Sequence, residues 1–147
     1  MKIIFVCHGN ICRSPMAEFI FKDLLRNTGL ESDFIIFSAG VSSEECGNDI
    51  YPPAKRILKN MGIPFTSHRA HRITDSELAE SDLVFALDSS NFWNLVRRFG
   101  NNTKIRMLLD RDVEDPWYTD DFEKAFDDIY LGCKNLLSGL NSSRLLY

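Results

Sequence analysis

The sequence predicts an α/β fold: one domain, residues 1–147, with a four-stranded parallel sheet and helices on both of its faces. Three observations carry this expectation. Short β-branched and aromatic runs alternate along the chain with segments of helical period, which implies parallel pairing through helical crossovers. A length of 147 residues sits at the modal size of a single domain and can bury one sizeable core. No repeat, linker or low-complexity stretch divides the chain.

The elements follow in order. Lys2 to Val6 is β-branched and aromatic and stops at a Gly-containing loop, as a buried strand does. From Pro15 the period changes: Ala17, Ile20, Phe21, Leu24 and Leu25 share one helical face. Ser14 suits the N-cap of that helix, Pro15 its first turn, and Gly29 its stop. Asp33–Ala39 reads as a second strand and Pro53–Met61, closed by Gly62, as a second helix. Ser76–Glu80 is a short helix and Asp82–Leu87 a third strand; Ser89 or Ser90 caps a helix reaching about Phe99, closed by Gly100. Lys104–Leu108 is the fourth strand. Phe122, Ala125, Phe126, Ile129, Tyr130, Cys133, Leu136 and Leu137 form the apolar stripe of a last helix, after which Asn141–Tyr147 is expected to fray.

Bulk properties exclude several classes of function. An apolar share of 44% and a charged share of 26% suit a soluble globular protein. The net charge of −4 argues against general nucleic-acid binding, which wants a basic surface. It also means that an anionic ligand must be drawn by local positive charge. No stretch approaches the ~18 apolar residues of a membrane span, so no membrane association is expected. Met1–Val6 is too short for a signal-peptide core. Cys7, Cys12, Cys46 and Cys133 then read as thiols and not as a disulfide framework, and a cytoplasmic location is expected.

The chemistry concentrates in Cys7-His8-Gly9-Asn10-Ile11-Cys12-Arg13-Ser14, between the first strand and the first helix. In open α/β sheets, ligands bind beyond the carboxyl ends of strands. A loop curling into a helix N-terminus turns several N–H groups inward, and the helix dipole adds partial positive charge. Gly9 is expected to supply the freedom for that curl. Arg13 can offer paired donors to two oxygens of a tetrahedral anion. A thiol at Cys7 shares the same field, which favours its thiolate form, and the Ser14 hydroxyl can hydrogen-bond to it. The bare Cys–Arg spacing arises by chance in about one such sequence in four, so its placement between strand and helix carries the reading. The carboxylates near the end of the chain are mostly solvated charge. Asp115 stands out because Pro116 restricts its backbone to extended geometry, and Trp117 and Tyr118 follow as walls for an aryl ring.

Val6-Cys7-His8-Gly9-Asn10-Ile11-Cys12-Arg13-Ser14-Pro15-Met16-Ala17-Glu18 closely resembles the signature of the low-molecular-weight protein tyrosine phosphatases. The resemblance continues through Ser38-Ala39-Gly40, Gly62-Ile63-Pro64, Ser67-His68-Arg69-Ala70, Asp88-Ser89-Ser90-Asn91 and Asp115-Pro116-Trp117-Tyr118. It implies phosphotyrosine hydrolysis without metal or cofactor. Cys7 would be the nucleophile, Arg13 and the loop (His8, Gly9, Asn10, Ile11, Cys12, Ser14) would hold phosphate, and Asp115 would be the acid and base. Trp117 and Tyr118 would line the substrate, and Ser38, His68 and Asp88 would support the loop and the acid. The resemblance also implies phosphotyrosine-containing proteins as partners; the chain itself is expected to be a monomer.

Cys12 carries two readings: a redox partner that traps oxidised Cys7, which family behaviour favours, or a small packing residue. The chain departs from the family pattern at Glu44, where an aromatic residue is common, at His8, where an aliphatic one is usual, and at Trp117, where Tyr is common. Glu44 and Glu45 would disfavour highly acidic phosphopeptides. Three rival readings stand beside this one, the first two sharing the loop. A protein arginine phosphatase would carry Thr at the position of Ile11, and a thiol-dependent arsenate reductase would need a downstream cysteine pair. A non-catalytic phosphoanion-binding module would need neither Cys7 nor Asp115.

Overall fold

The run Ile3-Ile4-Phe5-Val6 is fully shielded from solvent, and that burial places it at the centre of the sheet. In the computed structural model, which describes residues 1–145, this strand is β1 (Lys2–Cys7). β2 (Ile35–Gly40) pairs with it on one side, from Lys2 opposite Ile35 to Cys7 opposite Gly40. β3 (Leu83–Ala86) pairs on the other, from Ile3 opposite Leu83 to Val6 opposite Ala86, and β4 (Ile105–Met107) flanks β3. All pairings are parallel and the order is β2-β1-β3-β4, giving the expected four-stranded α/β domain. The chain leaves β1 for β2 on one side and later returns to β3 on the other. The carboxyl end of β1 is therefore the switch point where such sheets open a crevice.

Side-chain alternation along β1 divides the core between two faces. Ile3, Phe5 and Cys7 join Met16, Ala17, Ile20 and Phe21 of α1 (Arg13–Asn27), Ala54 and Leu58 of α2 (Pro52–Asn60), and Phe126, Ile129 and Cys133 of α6 (Phe122–Leu145). Phe5 meets Phe21 edge-on at 5.8 Å and stacks on Phe85 at 6.0 Å. Ile4 and Val6 pack on the opposite face with Leu78 of α3 (Asp75–Glu80) and Leu95 of α4 (Ser89–Phe99). Gly132, a helix-weakening residue by propensity, is where Leu108 seats on α6: a Cβ there would lie 2.6 Å from the Leu108 Cγ. Among the described residues no helix is long and apolar enough to cross a membrane.

Several local expectations are corrected. Ser14 does not cap α1; Cys12 holds the N-cap position without a side-chain bond, and the helix begins at Arg13. Asp88, not Ser89 or Ser90, caps α4, its carboxylate accepting the Asn91 N–H at 2.7 Å. Glu31–Asp33 forms a single 3₁₀ turn, which delays the second strand to Ile35. Thr74 and Glu77 close a capping box that starts α3 at Asp75. One turn of helix, α5 (Pro116–Thr119), is additional. α6 continues to Leu145, into the segment expected to fray; residues 146–147 of that segment lie outside the described residues.

Candidate active site

The segment from Cys7 to Ser14 closes a tight loop around the N-terminus of α1. Its one left-handed residue is Asn10, at φ 60°, and not Gly9 as expected. That conformation costs a non-glycine residue free energy and persists only where other contacts hold it. Asn10 has four. Its Nδ2 donates to the Ser14 Oγ at 2.9 Å and to the Ser38 Oγ at 3.0 Å, and its Oδ1 accepts the His71 N–H at 3.1 Å. Its carbonyl accepts from the His68 Nε2 at 2.7 Å, so that ring nitrogen carries the proton. Gly9 matters for space instead: a Cβ there would press to 3.1 Å on the Glu45 side chain lying over the loop. Gly40, opposite Cys7, leaves room for the His8 carbonyl, which a Cβ would meet at 2.7 Å.

These bonds fix the direction of a proton chain. The Ser38 hydroxyl donates to the Glu18 Oε1 at 2.6 Å, and Lys22 holds the other carboxylate oxygen at 2.6 Å. With its proton committed, Ser38 can only accept from Asn10. The second Asn10 proton goes to Ser14, whose hydroxyl is left to donate to the Cys7 sulfur at 2.9 Å. Every group from Glu18 to Ser14 is thus committed so that the chain ends in a hydroxyl donating to the Cys7 sulfur. Among the described residues the backbone N–H groups of Gly9 to Ser14 reach no protein acceptor, and they belong to the turn that enters α1.

Arg13 is almost completely enclosed. Its Nη1 donates to Asp88 at 2.7 Å and to the Val113 carbonyl at 2.8 Å, and its Nη2 lies 3.4 Å from the Asp115 Oδ2. Burial alone would lower its pKa. The Cys7 charge, the hydrogen bond that Arg13 donates to Asp88 and the Asp88 and Asp115 charges together raise it, so the guanidinium stays charged. Asp88 therefore caps α4 with one oxygen and aims Arg13 with the other. The Asp115 backbone is extended, as the following proline requires, and its carboxylate caps α5 by accepting the Trp117 N–H at 3.0 Å.

Cys7, His8, Gly9, Ile11, Cys12, Arg13, Asp115, Trp117 and Tyr118 line one cleft of about 170 Å³, with Glu44 and Glu45 at its rim. Its floor is cationic and its walls are Ile11 and the two aromatic residues. The rim carries acid, with the exposed His8 ring 3.3 Å from Glu44. Asn10 and Ser14 belong to the loop, and Ser38, His68 and Asp88 bond to it from outside; none of the five lines the cleft. Burial, followed by the Cys7 and Asp115 charges, pushes the Cys12 thiol well up, with Arg13 opposing. All four cysteines are free thiols; Cys46 is exposed, while Cys133 lies in the core beneath α1. Among the described residues no group of three His, Cys, Asp or Glu side chains is placed to hold a metal ion.

Some participants escaped the sequence reading. Glu18 sits in the quoted motif, yet only the fold turns it onto Ser38. Asp112 accepts the backbone and side chain of Ser89, and Arg111 forms a paired bond to Asp128 of α6, so the Asp115 segment is anchored on two sides. Charge alternation near residue 111 was the only available signal.

The family model described as low molecular weight phosphotyrosine protein phosphatase matches residues 2–145. The low molecular weight protein-tyrosine-phosphatase YfkJ of Bacillus subtilis is 37% identical, with 99% of each chain covered. Its crystal structure gives a TM-score of 0.93 over 97% of this chain and 96% of that one. The human low molecular weight phosphotyrosine protein phosphatase is 34% identical over 90% of this chain and 88% of its own. The arginine phosphatase YwlE, solved as a variant with a phosphorylated active-site serine, is 30% identical over the whole of both chains, with a TM-score of 0.87. A match that spans almost the whole chain, over a loop and cleft of this geometry, makes the protein an enzyme of the low molecular weight phosphotyrosine protein phosphatase family.

Proposed function

We propose that the chain hydrolyses phosphotyrosine in proteins, and small aryl phosphates, through a cysteinyl-phosphate intermediate. The observation that carries this reading is the juxtaposition of Cys7 and Asp115 in one cleft, with Arg13 bonded to the acid segment beside them. The Cys7 thiolate attacks phosphorus as the bond to the phenolic oxygen breaks, and the departing oxygen takes its proton from Asp115. Water then attacks phosphorus, Asp115 takes the water's proton, and the sulfur leaves as thiolate. Arg13 and the loop N–H groups hold the equatorial oxygens through both steps. His8, Gly9, Asn10, Ile11, Cys12 and Ser14 form the phosphate loop, and Ser38, His68 and Asp88 keep its shape. YwlE, phosphorylated on a serine at its active site, supports a covalent intermediate on this fold.

The fold alone does not choose the substrate, because an arginine phosphatase shares it. Ile11, Trp117 and Tyr118 form apolar walls suited to an aryl ring, and this favours phosphotyrosine. The acidic rim of Glu44 and Glu45 would suit a cationic leaving group, which keeps phosphoarginine as the second reading. Arsenate reduction lacks its relay, since Cys46 is exposed in a loop and Cys133 is enclosed in the core. A side-by-side assay of phenyl phosphate, a phosphotyrosine peptide, phosphoarginine and arsenate tests these readings. We expect kcat/KM for the phosphotyrosine peptide to exceed that for phosphoarginine by about 10²-fold, the scale set by a matched pocket. Preference for phosphoarginine would replace the reading with its rival.

Cys12 is proposed as a redox guard. Oxidation of Cys7 to sulfenic acid by peroxide would let the Cys12 sulfur bond to the Cys7 sulfur with loss of water. The raised Cys12 thiol leaves Cys7 as the first of the two to react. Mass spectrometry after mild peroxide is expected to find a Cys7–Cys12 disulfide. Sulfinic acid at Cys7 with Cys12 still reduced would make Cys12 a packing residue.

A further inference from the structure

The acid segment and the phosphate loop are more than a hundred residues apart in sequence, and Asp115 can act only while both keep a common frame. Besides the 2.8 Å bond from the Arg13 Nη1 to the Val113 carbonyl, two residues before the acid, one link between them is the 3.4 Å contact from the Arg13 Nη2 to Asp115 itself. A bound phosphate needs the same guanidinium edge, so this link weakens when the acid is required.

A second link leaves the phosphate site untouched. The Tyr51 N–H donates to the Ile11 carbonyl, inside the loop, at 2.7 Å. Its ring lies 5.0 Å from the ring of Trp117 at 46°, and Phe122 backs it at 5.9 Å. Among the described residues Tyr51 is the only aromatic partner of Trp117, a side chain otherwise 57% exposed. The Trp117 N–H in turn bonds the Asp115 carboxylate at 3.0 Å. Tyr51 itself is stiff: it precedes Pro52 and Pro53, which keep its backbone out of the helical region at φ −56° and ψ 131°, and it occupies the N-cap position of α2. It lies outside the residues that line the cleft.

We propose that Tyr51 is a positioning residue for Asp115, locking the acid segment to the phosphate loop once Arg13 is engaged by substrate. The inference rests on Asp115 being the general acid. Its contiguous path runs from the loop carbonyl to the Tyr51 backbone, from ring to ring, and from the Trp117 N–H to the carboxylate. The hydroxyl of Tyr51 takes no part in this path, so the ring alone is required.

Tyr51→Leu, which keeps apolar volume but removes the ring, tests it with phenyl phosphate and p-nitrophenyl phosphate as substrates. Misplacing a catalytic group by about 1 Å can cost about 10²-fold, and a loosened acid is expected to lose about tenfold in kcat/KM on phenyl phosphate. On p-nitrophenyl phosphate, whose leaving group departs without a proton, the loss should stay within about twofold. Tyr51→Phe should restore both. Trp117→Leu breaks the same contact from its exposed side and should show the same substrate-selective loss. The double variant should then be no more selective than either single one. Equal losses on both substrates in Tyr51→Leu and in Trp117→Leu, with a selective loss in Asp115→Ala, overturn the positioning role alone. Equal losses in Asp115→Ala overturn the acid assignment and this inference with it.

Discussion

Replacing Cys7 by serine is expected to lower kcat/KM by about 10⁴-fold or more, the scale on which loss of a nucleophile acts in other enzymes. The cause lies in the direction of the proton chain behind the sulfur. From Glu18 through Ser38 and Asn10, each group has spent its protons so that the Ser14 hydroxyl donates toward residue 7. That arrangement helps a thiolate, which needs no base. It gives an alcohol no acceptor for its proton, so the introduced serine remains a poor nucleophile. Any phosphoryl group it does acquire should be retained, because an alkoxide leaves far less readily than a thiolate. Mass spectrometry after prolonged incubation with phenyl phosphate should show at most one phosphoryl group per molecule. Inorganic phosphate should still bind within a few-fold of the parent enzyme, because Arg13 and the loop N–H groups are unchanged. Turnover within about tenfold of the parent would remove Cys7 from the mechanism.

The first helix illustrates what local pattern reveals and what it misses. The apolar stripe from Ala17 to Leu25 gave the element and its buried face, since a 3.6-residue period is a property of the helix alone. The cap was misread for an equally local reason. Ser-Pro at a helix start usually means that the serine oxygen accepts a backbone N–H, but here the Ser14 hydroxyl is spent on Cys7 and Asn10. Asn10 shows the same limit. A left-handed residue is first sought at glycine, and the loop bonds that hold asparagine there come from residues 38, 68 and 71. The catalytic candidates were legible because their chemistry is sparse and ordered: a thiol and an arginine flanking a helix start, and one aspartate before proline and aromatics. Tyr51, Arg111 with Asp128, and Glu18 were not. Each acts through a partner distant in sequence or a side-chain orientation that only packing decides. The one-turn helix α5 escaped because four residues are too few to show a period.

Asp115→Ala is expected to lower kcat/KM on phenyl phosphate by about 10²- to 10³-fold, within the range for loss of a general acid, and on p-nitrophenyl phosphate by less than about tenfold. The asymmetry follows from the leaving groups. A phenol titrates near 10, so expelling it unprotonated is costly, whereas a nitrophenolate is stable without the proton. Loss of the carboxylate also removes one of the Arg13 partners, but Asp88 and the Val113 carbonyl still hold the guanidinium at 2.7 and 2.8 Å. Phosphate binding should therefore survive, or tighten, since one anion fewer faces the incoming dianion. Asp115→Asn separates the roles. Its amide oxygen can still accept the Trp117 N–H and keep the turn at α5, yet it has no acidic proton to give. The asparagine variant should match alanine in its selective loss on phenyl phosphate while preserving the thermal stability of the parent. If asparagine instead retained activity on phenyl phosphate, the carboxylate would be an anchor for the wall of the cleft, and the proton would have to come from another group or from water.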